Sequence, residues 1–73
     1  MNYTKVESSN LAEVGWKDET LHIRFHHGGE YAYDGVAYGV FTDLISAPSV
    51  GKFFHAEVKE RFPFRKIGAC VEA

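Results

Sequence analysis

Three segments in the first half of the chain alternate in polarity with a period of two. Residues 10–16 read NLAEVGW, residues 20–26 read TLHIRFH and residues 30–34 read EYAYD, each bounded by turn-forming residues. The pattern predicts a meander of three antiparallel strands. In the second segment Leu21, Ile23 and Phe25 share one face, and His22, Arg24 and His26 share the other, which suits a sheet covered on one side. If KDET (17–20) closes the first hairpin with Trp16 opposite Leu21, then Val14 meets Ile23 and Ala12 meets Phe25. All the apolar groups then fall on one face.

The stretch HHGGEYAYDGV (26–36) admits two registers for the second hairpin, and a change of one residue in loop length flips both tyrosines. With Gly28-Gly29 as a two-residue turn, His26 opposes Tyr31 and Arg24 opposes Tyr33, so the rings stand on the open face. With HGG as a three-residue loop and Gly29 in the left-handed position, Phe25 opposes Tyr31 and Ile23 opposes Tyr33, and the rings join the core. The scarcity of apolar surface in a small domain favours the second arrangement.

After Gly35 the periodicity becomes helical. VAYGVFTDLISA (36–47) places Val40, Phe41, Leu44 and Ile45 on one side, and Pro48 stops it. Ser49 is a good N-cap for a second helix, VGKFFHAEVKERF (50–62), with Val50, Phe53, Phe54, Val58 and Phe62 along one side and Pro63 as its limit. The expected fold is a single α+β domain spanning residues 1–73: a three-stranded antiparallel meander, then two short helices packed on its apolar face (β-β-β-α-α). Its core should cover about residues 6–66. FPFRKIG should be extended, and residues 67–73 should form a frayed tail.

Composition narrows the setting. At 73 residues folding buries only roughly 60 % of the surface the unfolded chain exposes, so most large apolar side chains must be used. Hydrophobic residues make up 45 % and charged residues 25 %, which is the balance of a folded protein rather than a disordered one. The single cysteine, Cys70, excludes an intramolecular disulfide and a paired-thiol redox motif. No signal-peptide core or apolar run of bilayer length is present, so a soluble, cytoplasmic protein is expected, with no membrane partner.

The formal charge of −2 is unevenly spread. Residues 1–34 hold three bases against six acids, whereas residues 51–66 hold Lys52, Lys59, Arg61, Arg65 and Lys66 against Glu57 and Glu60. Any anion-binding surface should therefore lie in the C-terminal third, although a helix with a solvated basic face explains the same charges.

Catalytic chemistry finds no foothold in the chain. His22 and His26 on one strand stand roughly 13 Å apart at about 3.3 Å per residue, too far to share a metal ion, and His26 and His27 should face opposite sides. Cys70 has no local motif to position it as a nucleophile. Gly28-Gly29 and SVGK lack the spacing of phosphate loops, and no carboxylate pair falls in an apolar setting. No catalytic residue, metal, cofactor or small-molecule substrate is expected. What remains is aromatic and basic surface, of the kind that stacks on bases and follows phosphates in single-stranded nucleic acid. For Phe53, Phe54 and Phe62 a plain core role competes more strongly than for Tyr31 and Tyr33, whose hydroxyls need water or a partner.

In order along the chain these residues resemble the KTSC domain family, which takes its name from the C-terminus of some lysyl-tRNA synthetases and also occurs as small stand-alone proteins in bacteria and phages. Val6, Ser8, Ser9 and Leu11 resemble its V-x-S-S-x-I opening, and Val14-Gly15-Trp16 its hydrophobic-Gly-aromatic step. Leu21, Ile23, Phe25 and Gly28 are similar to its second strand and turn, and Tyr31-Ala32-Tyr33 to its central Y-x-Y. Gly35-Val36 precedes the first helix as it does there. Ala47, Ser49, Gly51, Lys52, Phe53 and Phe54 resemble A-x-S-x-G-K-Y-F, and residues 62–65, FPFR, its Y-P-Y-R-like close. Ala37 stands in place of a usual proline, Phe53 and Phe64 in place of tyrosines, and His55 in place of a common asparagine, which weakens any carry-over of polar contacts there.

The resemblance implies a small accessory domain of uncharacterised function, with RNA binding as a suggestion. Two expectations follow. One is a non-catalytic module for RNA or single-stranded nucleic acid, using Lys52, Arg61, Arg65 and Lys66 toward phosphates, Tyr31 and Tyr33 near the bases, and Arg24 and His55 alongside. The other is a protein-interaction module, for example a small phage protein that docks on a host protein through an aromatic and arginine patch.

Overall fold

The computed structural model describes residues 2–69. Seven elements follow one another: β1 (Tyr3–Lys5), β2 (Leu11–Lys17), β3 (Thr20–Phe25), β4 (Gly29–Asp34), α1 (Tyr38–Ser46), α2 (Val50–Glu57) and β5 (Phe64–Ala69). The strands form one antiparallel sheet in the order β1-β2-β3-β4-β5. The α+β class is as expected, but the sheet has five strands rather than three. β1 is only three residues long, too short for a period of two to show. In β5 a register shift between Glu30 and Tyr31 leaves Ile67 unpaired as a bulge, which breaks the alternation that would have marked a strand. Residues 67–69 thus continue the sheet instead of fraying, while Cys70 and the rest of the expected tail lie outside the described residues.

The first hairpin forms as its polarity pattern demands, with Trp16 opposite Leu21 and Val14 opposite Ile23. One step further on, a bulge at Ala12 puts Leu11 across from Phe25, where alternation had placed Ala12. The gain is apolar area, since Leu11 becomes fully buried. Asp18 and Glu19 form the turn with φ of 52° and 62°, the positive backbone angles that a two-residue hairpin loop needs.

The second hairpin has a three-residue loop, made of His26, His27 and Gly28. Gly28, not Gly29, takes the left-handed conformation at φ 106°, and its N–H donates to Phe25 O at 3.0 Å. Ile23 therefore opposes Tyr31 and Leu21 opposes Tyr33, two residues away from the expected pairing but on the same face. Both rings point to the helix side. Gly29 matters for space instead of backbone angle. A Cβ there would sit 3.2 Å from His27 Cε1 and 3.3 Å from Tyr31 Cε1, so a side chain would press on both rings.

The core joins Leu11, Val14, Leu21, Ile23 and Tyr33 of the sheet to Val36, Phe41, Leu44, Val50, Phe54 and Val58. Trp16 closes one end, its indole N–H donating to Val36 O at 2.7 Å. Ser49 caps α2, accepting from Lys52 N at 3.4 Å. This helix stops at Glu57 instead of reaching Phe62: Val58 leaves helical angles at φ −121°, and the Lys59 N–H reaches five residues back to Phe54 O at 2.8 Å. The turn that follows tucks Phe62 against the core and brings Pro63 O to accept from Asp34 N at 3.0 Å, which starts β5 alongside β4. No helix among the described residues is long and apolar enough to cross a membrane.

Candidate functional site

The two faces of the sheet have different chemistry. On the face away from the helices, Arg24 donates through Nη1 to Glu13 Oε1 at 3.0 Å and through Nε to Glu30 Oε1 at 3.2 Å. Its guanidinium lies 3.8 Å from the centre of the Tyr3 ring, and the Tyr3 hydroxyl donates to Glu30 Oε2. Burial works against ionisation of Glu30, yet the hydrogen bonds from Tyr3 and Arg24, with Arg24's charge, hold its carboxyl below the usual value. Burial, aided by Glu30, pushes the Tyr3 phenol up to about 12. His22 stands 3.8 Å from Glu30, but burial holds its pKa below the ordinary 6.5, so near neutral pH it is an uncharged neighbour and not an ion-pair partner. Farther along the same face Arg65 meets Asp34 at 2.6 Å. This face satisfies its own charges.

The helix side leaves a groove unfilled. It holds about 500 Å³ between the end of α2 and strands β3, β4 and β5. Phe25, Tyr31, Tyr33, Phe54 and Phe64 line it with rings, and Asn10, His27, His55, Lys59 and Glu60 supply its polar rim. Five ring pairs tie the lining together at centroid distances of 5.5–5.8 Å, among them Tyr33 with Phe54 and Phe64, and Phe25 with Tyr31. The strand register explains the arrangement: Phe64 opposes Tyr33, so alternation puts both rings and Tyr31 on one side of neighbouring strands. Tyr33 is 4 % exposed and Phe64 56 %. The first forms the floor and the second an open wall.

The residues singled out in the sequence separate accordingly. Tyr31, Tyr33 and His55 come together at the groove. Arg24 and Arg65 lie on the opposite face, each bound to carboxylate. Arg61 reaches Glu57 at 3.6 Å on the surface, Lys52 is exposed in the first turn of α2, and Lys66 is exposed on β5 as the register partner of Tyr31. Phe64, Phe25, His27, Asn10 and Lys59 belong to the site and were not singled out for it. The spacing F-P-F (62–64) carried a usable signal for Phe64, since proline forces an extended chain and alternation then turns Phe64 away from Arg65.

Residues 7–62 match the family model described as the KTSC domain. A protein from Tsukamurella paurometabola is 41 % identical over 59 residues, covering 78 % of this chain and 88 % of its own length. The crystal structure of a KTSC domain protein from Yersinia pestis superposes with a TM-score of 0.86 at 36 % identity, covering 92 % of this chain and 97 % of that one.

Proposed function

The chain belongs to the KTSC domain family, and from that premise we propose that it is a non-catalytic binding module whose aromatic groove takes single-stranded nucleic acid, RNA foremost. The observation that carries this reading is the open groove itself: a lining of aromatic rings with Phe64 left exposed, Lys59 on its rim and Lys66 on the adjoining strand. Base stacking on such rings contributes roughly 1–3 kcal/mol per base. Glu13, Glu30 and Asp34 lie on the other side of the sheet, paired with Arg24 and Arg65, so these three carboxylates do not face a strand bound in the groove. A cytoplasmic site of action belongs to the same proposal.

A second reading, a protein-docking module, draws on one specific feature. Arg24, Arg61 and Arg65 are all engaged with carboxylates and Glu60 sits on the groove rim, so the cations left for phosphate are few. Fluorescence-anisotropy titration with short mixed-sequence RNA and DNA strands, at low and moderate salt, separates the two. Nucleic-acid binding predicts saturable affinity that weakens with salt as counterions are released. Absence of binding at low salt refutes it, and the docking reading then predicts a stoichiometric protein complex that Phe64→Ala disrupts.

A further inference from the structure

Tyr33 stands apart among the groove residues. Its side chain is almost wholly buried, 4 % exposed, yet among the described residues no protein group pairs with its hydroxyl. Nor is that oxygen sealed away, since His22 Nδ1 is the one buried side-chain atom without a partner among the described residues. The hydroxyl of Tyr33 therefore keeps some contact with solvent, and the groove that Tyr33 lines is where a ligand would meet it. A polar group at the floor of an apolar pocket is the usual means by which such a pocket orients its ligand. Burial, with Tyr31 close by, pushes its pKa up to about 12, so at neutral pH it carries its proton and can donate.

Resting on the nucleic-acid reading above, we infer that the groove holds a single unstacked nucleobase, with Phe64 as its stacking wall and the Tyr33 hydroxyl hydrogen-bonding its polar edge. Three features favour a base over an aliphatic side chain. Phe64 offers an exposed ring face beside Tyr31 and Tyr33, at 5.7 and 5.6 Å. An aliphatic group would leave the Tyr33 hydroxyl without a partner in a site it had just dried, which costs binding energy. Lys59 on the rim, and Lys66 opposite Tyr31 on the edge strand, supply exposed ammonium groups that a nucleotide's phosphates would meet. The groove, about 500 Å³, has room for a base with its sugar.

The test compares oligonucleotides of equal length and charge: an ordinary single-stranded RNA and an abasic strand with the same backbone, each titrated against the full chain, Tyr33→Phe and Phe64→Ala at low salt. Folding of each variant is checked by circular dichroism and urea unfolding. The base-containing strand should bind at least about tenfold tighter than the abasic one, and Phe64→Ala should erase that advantage. Tyr33→Phe, which keeps the ring, should weaken the base-containing strand about three- to tenfold and leave the abasic strand unchanged. Equal binding of both strands overturns the base-in-groove assignment while the nucleic-acid reading stands on its phosphate contacts. An unchanged Tyr33→Phe beside a weakened Phe64→Ala overturns the role of the hydroxyl. Failure of both strands to bind overturns the assignment together with the reading it rests on.

Discussion

Glu30→Gln removes one charge from the polar face of the sheet while keeping the size of the side chain. Glu30 is 15 % exposed and accepts from Arg24 Nε at 3.2 Å through one oxygen and from the Tyr3 hydroxyl through the other. An amide has one acceptor oxygen, so one of these two donors loses its partner. Hydrogen bonds to charged groups contribute about 1.5–3 kcal/mol when well desolvated. The Arg24 side chain is 38 % exposed and keeps Glu13 at 3.0 Å, so solvent screening reduces the loss to about 1–2 kcal/mol at neutral pH. The pH dependence supplies a sharper criterion. Glu30 titrates below the ordinary 4.5 in the folded protein, so its stabilisation is present above that value and is lost as pH falls through the folded one. Urea unfolding of both proteins, followed by circular dichroism from pH 7 to pH 3, should show a gap that is constant down to about pH 5 and narrows in acid. A gap that persists unchanged to pH 3, or one absent at pH 7, would refute the assigned network. The variant should bind nucleic acid as the parent does, because the network lies across the sheet from the groove.

Three further outcomes follow from the same structure. Asp18 and Glu19 both hold positive φ, so the pair Asp18→Asn/Glu19→Gly should raise stability by about 1 kcal/mol in urea unfolding. Tyr33→Ala should cost about 3–5 kcal/mol, enough to unfold much of the population, whereas Phe64→Ala, at a residue 56 % exposed, should cost about 1–2 kcal/mol and leave a folded protein, as thermal melts would report. His22 is held neutral by burial against some opposition from Glu30, so the unfolded chain binds the extra proton and stability should decline as pH drops below 6.5; His22→Gln should flatten that slope in a urea series across pH 7 to 5.

Polarity alternation was enough to read the central hairpin, down to the pairing of Trp16 with Leu21 and Val14 with Ile23. The helical spacing of Val50, Phe53 and Phe54 and the cap at Ser49 were equally plain. The economy of apolar surface put Tyr31 and Tyr33 on the correct face even though the loop proved to be His26 to Gly28 and the register differed by two residues. What escaped were features set by tertiary pairing. A bulge at Ala12 is decided by how much area Leu11 can bury, and β1 and β5 exist because neighbouring edges accept them, not because their own residues alternate cleanly. The groove was hidden for the same reason: it needs β5 to carry Phe64 across from Tyr33, and no local pattern announces that pairing.

The opposition between a core role and a ligand role for the two tyrosines dissolves once β5 is in place. A ring can support the domain with one side and face a ligand with the other, provided that something next to it is left uncovered. Here α2 ends at Glu57, more than a turn short of its helical pattern, and the chain then swings past Phe62 into the edge strand. Phe64 stays exposed, which is apolar area that folding does not use in a domain with little to spare, and the Tyr33 hydroxyl is left to solvent. On the opposite face, by contrast, Arg24, Glu13, Glu30 and Tyr3 satisfy one another. A sheet that pairs its charges on one side and keeps an exposed ring and a hydroxyl without a protein partner on the other has the second side open to the ligand proposed above.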